Sequence, residues 1–336
     1  MNVFSITDRK GYRKAGPTDL IQLLPVGSNN AMFMEKWQLE ILVTGLCQNE
    51  WIHLSGASGV GKSSLIEALR NERNFRPVCE YLNFPIKPLQ IFETKIIYYD
   101  SPGELVFRRA LRDGATFDEL SEVAAALKDA ATQRTTAYTA IWVREAGRAH
   151  SPSIQGGLLD LMTCGTIALP TGEEIAGAGI GWIIDSNYAA ETEGTYTLVV
   201  FDEALKRRST VNLRMQYLSA EQEVAALRFI LRQDPRHSGC DANLIDPVVA
   251  LEHRIRAERS QGNLTSLAPP SIWSALGFLR MARALPHLPL YRIALSTLLG
   301  NASAEDERIL PSLFAEIFGL GGPAEAGSGA ARLVDM

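Results

Sequence analysis

Cysteine is scarce in this 336-residue chain, and its placement excludes as much as its scarcity. Cys47, Cys79, Cys164 and Cys240 stand far apart with no CxxC pair, so neither a zinc knuckle nor a disulfide framework can form from them. Reduced thiols of a cytoplasmic protein are expected. An excess of basic charge is also missing. Lys and Arg number 33 against 38 Asp and Glu, a net −5 that disfavours non-specific nucleic-acid binding. No apolar run approaches the roughly 18 residues of a membrane span, and the opening MNVFSITDRKGYRKAG lacks the unbroken apolar stretch of a secretory signal. The five histidines (His53, His150, His237, His253, His287) show no metal-ligand spacing. Ser55 and Ser58 precede no recognisable His/Asp set, so nucleophilic catalysis has no support. No internal repeat is visible.

What is present is an ordinary globular composition, 46% hydrophobic and 21% charged, which excludes wholesale disorder. At about 150 residues per domain the length implies two domains, or one large domain with an appendage. Residues 1–30, with Pro17, Pro25, Gly16 and Gly27, read as an irregular lead-in. Met34 to Leu46 has helical spacing of Trp37, Ile41, Leu42 and Leu46. Trp51 to Leu54, Lys95 to Tyr99, Thr139 to Val143, Gly181 to Asp185 and Thr197 to Phe201 are short apolar runs of strand type. Ser63 to Arg73 and Phe117 to Ala131 between them read as helices. Strands alternating with helices predict an α/β domain with a largely parallel sheet. From Ser219 the texture changes. Ser219 to Gln222 has the spacing of a capping box, and helical patterns follow at 223–232, 271–285 and 304–318 with almost no strand signal. The predicted organisation is a lead-in over 1–30, an α/β nucleotide-binding domain over 31–217, a helical lid over 218–320 and a Gly/Ala/Ser-rich tail over 321–336.

Gly56-Ala57-Ser58-Gly59-Val60-Gly61-Lys62-Ser63 fits GxxxxGK(S/T) without a mismatch, between a predicted strand and a predicted helix. Glycines let the chain wrap so that successive N–H groups point at phosphates, and the helix N-terminus adds donors and a favourable dipole. Lys62 is placed to reach the β and γ phosphates and the Ser63 hydroxyl to ligate Mg²⁺, with Ser64 completing the first helical turn. A Gly-rich turn without a ligand is the duller alternative. The loop alone does not identify the reaction.

Asp100-Ser101-Pro102-Gly103 resembles the DxxG switch of a GTPase, but no NKxD-like guanine reader follows, since Lys128-Asp129 has the wrong spacing. A second resemblance covers about 280 residues. The order of IWVREAGRA, SIQGGLLDLM, LPTG, GWIIDSN and FDEALKRRS, and of ALSTLLGNASAEDERILPSLFAEIFG near the end, is similar to the AAA+ ATPases of the MoxR, CbbQ/NorQ and McrB type. Asp100 to Gly103 fits that group's "sDLxG" element too. The resemblance implies a P-loop NTPase fold with a parallel sheet core and a C-terminal α-helical lid. It also implies ATP and Mg²⁺ as cofactors, and a ring of identical subunits, expected to be a hexamer. By the same resemblance Glu145 takes the place of the Walker B glutamate that positions the attacking water, and Asn187 that of sensor 1. Arg208 takes the place of the arginine finger reaching a neighbouring subunit, with adjacent Arg207 as the other candidate. As isolated residues, these would read as surface charges and a turn.

Three positions depart from the pattern. Arg144 stands where the Walker B aspartate is usual, Ser209 where a phenylalanine normally follows the finger, and Ser271, Ile272 and Trp273 where a sensor 2 arginine is expected. An arginine 5 Å from Mg²⁺ would be repelled by about 7 kcal/mol at an effective dielectric near 20. Either its guanidinium points away, or Mg²⁺ is held weakly, or the cation substitutes for the metal. The expectation is an ATPase slowed by this replacement, whose ring remodels or activates a partner protein. In the resembled group that partner is often a von Willebrand A-domain protein. The alternatives are a nucleotide-dependent assembly scaffold with little hydrolysis, and the motor of a McrB-like DNA restriction complex. A protein partner is favoured over nucleic acid by the net charge, and no membrane partner is expected. Lys206-Arg207-Arg208 and Arg9-Lys10 with Arg13-Lys14 read as solvated basic clusters, with phosphate contact as the alternative.

Overall fold

The computed structural model describes residues 2–24, 32–57, 60–146, 152–164, 166–168, 172, 174–186, 203–264, 267, 269–299, 302–303 and 305–319. The chain forms two compact units, one over Phe4–Gln216 and the other over Met1–Val3 together with the residues from Tyr217 on.

The first unit begins with structure where a lead-in is expected. β1 (Val3–Ser5), α1 (Arg9–Lys14), β2 (Leu20–Leu23) and β3 (Met32–Glu35) build a three-stranded sheet in the order β1-β2-β3 with a short helix. The correction has a plain cause. Ile6, Leu20, Ile21 and Leu23 are fully buried, and Asp8 caps α1 by accepting from the Gly11 N–H at 2.9 Å. This apolar set outweighs the Pro and Gly content that suggested irregularity.

α2 (Lys36–Cys47) leads into β4 (Trp51–Gly56), followed by α3 (Lys62–Arg70), α4 (Glu72–Tyr81) and β5 (Leu89–Lys95). Next come the β6 (Phe107–Arg112) and β7 (Ala115–Leu120) hairpin, α5 (Glu122–Gln133), β8 (Tyr138–Arg144) and α6 (Pro152–Thr163). β9 (Thr166–Ala168) and β10 (Glu174–Ala176) pair antiparallel around the LPTG segment, before β11 (Gly181–Ser186), α7 (Glu203–Arg208) and β12 (Val211–Met215). The main sheet runs β12-β4-β11-β8-β5, and every neighbouring pair is parallel. The α/β fold with a parallel sheet core is therefore as expected. Both faces are covered, which is why its strands read as unbroken apolar runs. Ile52, Leu54, Trp142, Ile183 and Leu213 share one core with Leu39, Leu42, Leu65, Ile66 and Phe75. Ile141, Val143, Trp182 and Ile184 share the other with Val123, Leu127, Ile154 and Leu158.

Two segments differ from their sequence patterns. Lys95 to Tyr99 is not a strand beyond its first residue. β5 pairs only with β8, from Leu89↔Tyr138 to Lys95↔Arg144, and β8 ends there, so Ile96 and Tyr99 bury their side chains without a ladder. Phe117 to Ala131 is not one helix. Asp113 and Gly114 take left-handed φ of 51° and 77°, the two-residue turn of a tight hairpin, and Ser121 then caps α5 through the Ala124 N–H at 3.0 Å. The Thr197 to Phe201 run lies outside the described residues.

The second unit is helical: α8 (Ala220–Gln233), α9 (Ile245–Ser260), α10 (Ile272–Ala284), α11 (Leu290–Thr297) and α12 (Asp306–Phe318). Ser219 and Gln222 close a reciprocal capping box at the start of α8. Among the described residues no helix is long and apolar enough to cross a membrane.

Candidate functional site

At the C-terminal edge of the parallel sheet, β4 passes through residues 57–61 into α3. Gly56 is required by close approach, since a Cβ there would stand 2.5 Å from the Met215 carbonyl oxygen on β12. Gly61 has φ of 93° and is the N-cap of α3, so the cap residue contributes no side chain to the first turn. The first N–H groups of a helix have no intrahelical partner, and they combine with the helix dipole into a seat for an anion. α3 has no acidic residue in its first turn to fill that seat.

Lys62 is 7% exposed, and its Nζ donates to the carbonyl oxygens of Gly56 and Ala57, both at 2.8 Å. The ammonium thus lies across the loop that precedes its own helix. Ala57 is buried, Val60, Gly61 and Ser63 are half-buried, and Ser64 is exposed at the same helix start. Ser58 and Gly59 lie outside the described residues.

β8 delivers Glu145 to the same edge. Glu145 has φ of 53°, a left-handed backbone that costs a non-glycine residue about 1–2 kcal/mol and is held only where neighbours fix it. Here its N–H donates to Asp185 Oδ1 at 2.5 Å. Asp185 sits on β11, the strand between β4 and β8, and is 3% exposed. Burial pushes its carboxyl up to about 6, as does the nearby Glu145 carboxylate, against the pull of the Glu145 N–H, Lys62 and Arg144. Sequence reasoning passed over Asp185 as one residue of a strand leading to Asn187. The available signal was an acidic residue inside an otherwise apolar run.

The Arg144 guanidinium finds its hydrogen-bond partner on the neighbouring strand. It lies 5.0 Å over the Trp142 ring, and Nη1 donates to Glu93 Oε1 on β5 at 2.7 Å. The cation is thus paired with Glu93, while its charge still acts on Asp185 and Glu145. Arg207 and Arg208 are exposed at the C-terminal end of α7. Ser209, where the family pattern has phenylalanine, is buried and its hydroxyl donates back to the Leu205 carbonyl at 2.9 Å. Asn187 lies outside the described residues. Asp100 to Gly103 is exposed on the loop after β5. His53, inside β4, is buried between Ser186 Oγ at 2.8 Å and Asn212 Oδ1 at 3.3 Å, and burial lowers its pKa to about 4. It is a neutral core imidazole at pH 7.

No protein-family model matches the chain, and no curated protein matches it in sequence. Among solved structures, a candidate ATPase from Cytophaga hutchinsonii is 16% identical, aligning over 83% of this chain and 88% of its own, with a TM-score of 0.38. NtrX from Brucella abortus is 15% identical over 86% of this chain and 69% of its own, with a TM-score of 0.37. At these values, function has to be argued from this chain's own residues.

Proposed function

We propose that the chain is an ATP-binding subunit of the AAA+ type that couples binding and hydrolysis of ATP to remodelling a partner protein. The observation that carries this is the loop between β4 and α3. There a glycine cradle, an open helix start and a buried lysine converge at the C-terminal edge of a parallel sheet. Backbone N–H groups of residues 60–64 and the Lys62 ammonium suit the β and γ phosphates, and the Ser63 hydroxyl suits a divalent ion carried with them. Among the described residues no three His, Cys, Asp or Glu side chains group as a metal site. A Mg²⁺ here would therefore arrive with phosphate oxygens as ligands, and the hard oxygen donors of Ser63, Asp185 and Glu145 fit it. When bound, Mg²⁺ neutralises charge on the transferred phosphoryl group.

Glu145 is read as the group that orients the attacking water, its strained backbone fixing where the carboxylate can go. Asn187 is assigned to help orient that water. Arg208, or Arg207 beside it, is assigned to a neighbouring subunit's nucleotide, which is why a ring, expected as a hexamer, belongs to the proposal. A protein client, of the von Willebrand A-domain kind or otherwise, is favoured over DNA by the net charge of −5.

Two measurements on purified protein test the reading. Lys62→Ala should weaken ATP binding about ten- to a hundredfold by removing charge-assisted hydrogen bonds. Glu145→Gln should keep binding while slowing phosphate release about a hundredfold or more. A wild-type protein that binds no ATP sinks the proposal. One that binds ATP tightly and releases no phosphate is the assembly scaffold instead.

A further inference from the structure

The carboxylate that position 144 lacks is supplied one strand away. β11 lies between β4 and β8, with Asp185 opposite Leu54, Ser186 opposite Ser55 and Ile184 opposite Val143. Side chains alternate along a strand, and Ile183 packs into the core shared with Leu65 and Ile66 of α3. Asp185, two residues on, therefore projects from the face that carries the P-loop helix. Arg144 meanwhile leans over Trp142 and pairs with Glu93.

We propose that Asp185 is the acidic side chain that balances Mg²⁺ beside the P-loop, in the role that an aspartate at position 144 would otherwise fill. The inference rests on the nucleotide-binding reading above. Three observations converge on it. Asp185 is almost wholly buried, yet its described hydrogen bond is a single backbone N–H, that of Glu145. A buried carboxylate favours cations beside it. Asp185 pairs with Leu54 and Ser186 with Ser55 on β4, just before Gly56, so the carboxylate stands at the strand end where the phosphate-binding loop begins. Finally, the same carboxylate holds Glu145, so the metal-balancing and water-positioning groups are one rigid unit at the ends of adjacent strands.

The test is the affinity for a fluorescent ATP analogue in Mg²⁺ and in EDTA. In wild type, Mg²⁺ should tighten binding. Asp185→Asn should lose about ten- to a hundredfold of that tightening, the size expected for a group that tunes a metal site, while affinity in EDTA stays as in wild type. Arg144→Asp placed on Asp185→Asn should restore part of it. Retention of the full Mg²⁺ effect by Asp185→Asn overturns the proposal. Failure of wild type to bind the analogue in either buffer overturns the nucleotide reading itself, a separate result. A second measurement needs no variant: Fe²⁺ in place of Mg²⁺, with ATP, ascorbate and peroxide, cleaves backbone near the metal. Cuts at 184–186 support the assignment, and cuts confined to 62–64 overturn it.

Discussion

Both units of this molecule bury charge, but they do so in opposite ways. In the helical unit Arg256 is clamped by its own surroundings. Its Nη2 lies 2.9 Å from Glu223 and 3.4 Å from Glu252, it donates twice to the Pro270 carbonyl, and its guanidinium stacks 4.4 Å over the Tyr217 ring. His253 closes the set at 3.0 Å from Glu223. Burial, with Glu223 close by, raises the Glu252 carboxyl well above the usual carboxylate range. In the sheet unit, Lys62 and Asp185 are equally buried, but their described hydrogen bonds run to backbone groups at strand ends, beside an uncapped helix start. Burial of charge is therefore no mark of a site by itself. The distinguishing feature is whether the charges are described as bonded to one another or to backbone groups at the loop proposed to take the nucleotide.

Breaking the locked set should have the largest effect. Arg256→Met removes the cation that bonds both Glu223 and Glu252 and should cost about 3–5 kcal/mol, the loss expected when a buried ion pair is left with one partner. Urea unfolding followed by hydrogen exchange in α8 and α9 measures it. Nucleotide affinity should stay at the wild-type value. A loss below about 1 kcal/mol would mean that the network does not hold the helices together, since exposed pairs are worth that little.

The contrast between the regions was only half legible in the sequence. Residues 56–63 point to the proposed phosphate site because glycine, lysine and serine at fixed spacing have few other uses, and the buried strands announce themselves as apolar runs. Asp185 was not legible, because its importance depends on β11 lying between β4 and β8, a neighbour relation that no local pattern encodes. Arg144 could be flagged as anomalous but not resolved, because its partner Glu93 lies 51 residues earlier. The Asp113-Gly114 turn was readable and was overridden by the apolar spacing that follows it, and the N-terminal strands were hidden by their Pro and Gly content. The resemblance to AAA+ ATPases arranged Glu145, Asn187 and Arg208 in order along the chain. Of the three, only Glu145 is joined by a described bond to the P-loop edge of the sheet.

The sheet's own buried groups should show a smaller effect with a distinctive pH signature. Asp185 rises from its ordinary 3.8 to about 6, so the folded protein holds that proton more tightly than the unfolded chain. Stability is lost as pH rises from about 4 to 6 and is not regained above, by about 3 kcal/mol at 1.36 kcal/mol per unit. His53 falls from 6.5 to about 4, so its contribution runs the other way. About 3 kcal/mol is lost as pH falls from 6.5 toward 4. The two slopes oppose each other between pH 4 and 6. Asp185→Asn should therefore be more stable than wild type at pH 8 by up to about 3 kcal/mol and should lose that advantage near pH 4, exposing the acid sensitivity of His53. Thermal unfolding across this range reads it out. An Asp185→Asn protein no more stable than wild type at pH 8 would place that carboxylate among the locked charges.

The smallest expected effect supplies the baseline for both regions. The Ser219 hydroxyl accepts from the Gln222 N–H at 3.2 Å, and the Gln222 side-chain oxygen accepts from the Ser219 N–H at 2.9 Å. This pair holds the start of α8 with neutral groups alone. Ser219→Ala should cost about 1 kcal/mol, the usual loss for a helix cap, with faster hydrogen exchange confined to the first turn of α8. It should leave the pH dependence of stability unchanged, since no charge is involved. Because α8 also carries Glu223, the cap and the Arg256 network act on the same helix, and their ratio is the informative quantity. If Ser219→Ala costs as much as Arg256→Met, ordinary helix termination stabilises this unit and its buried ions add little. If the ratio is near one to four, the ions hold the helices, and the contrast with the backbone-held charges of the sheet stands.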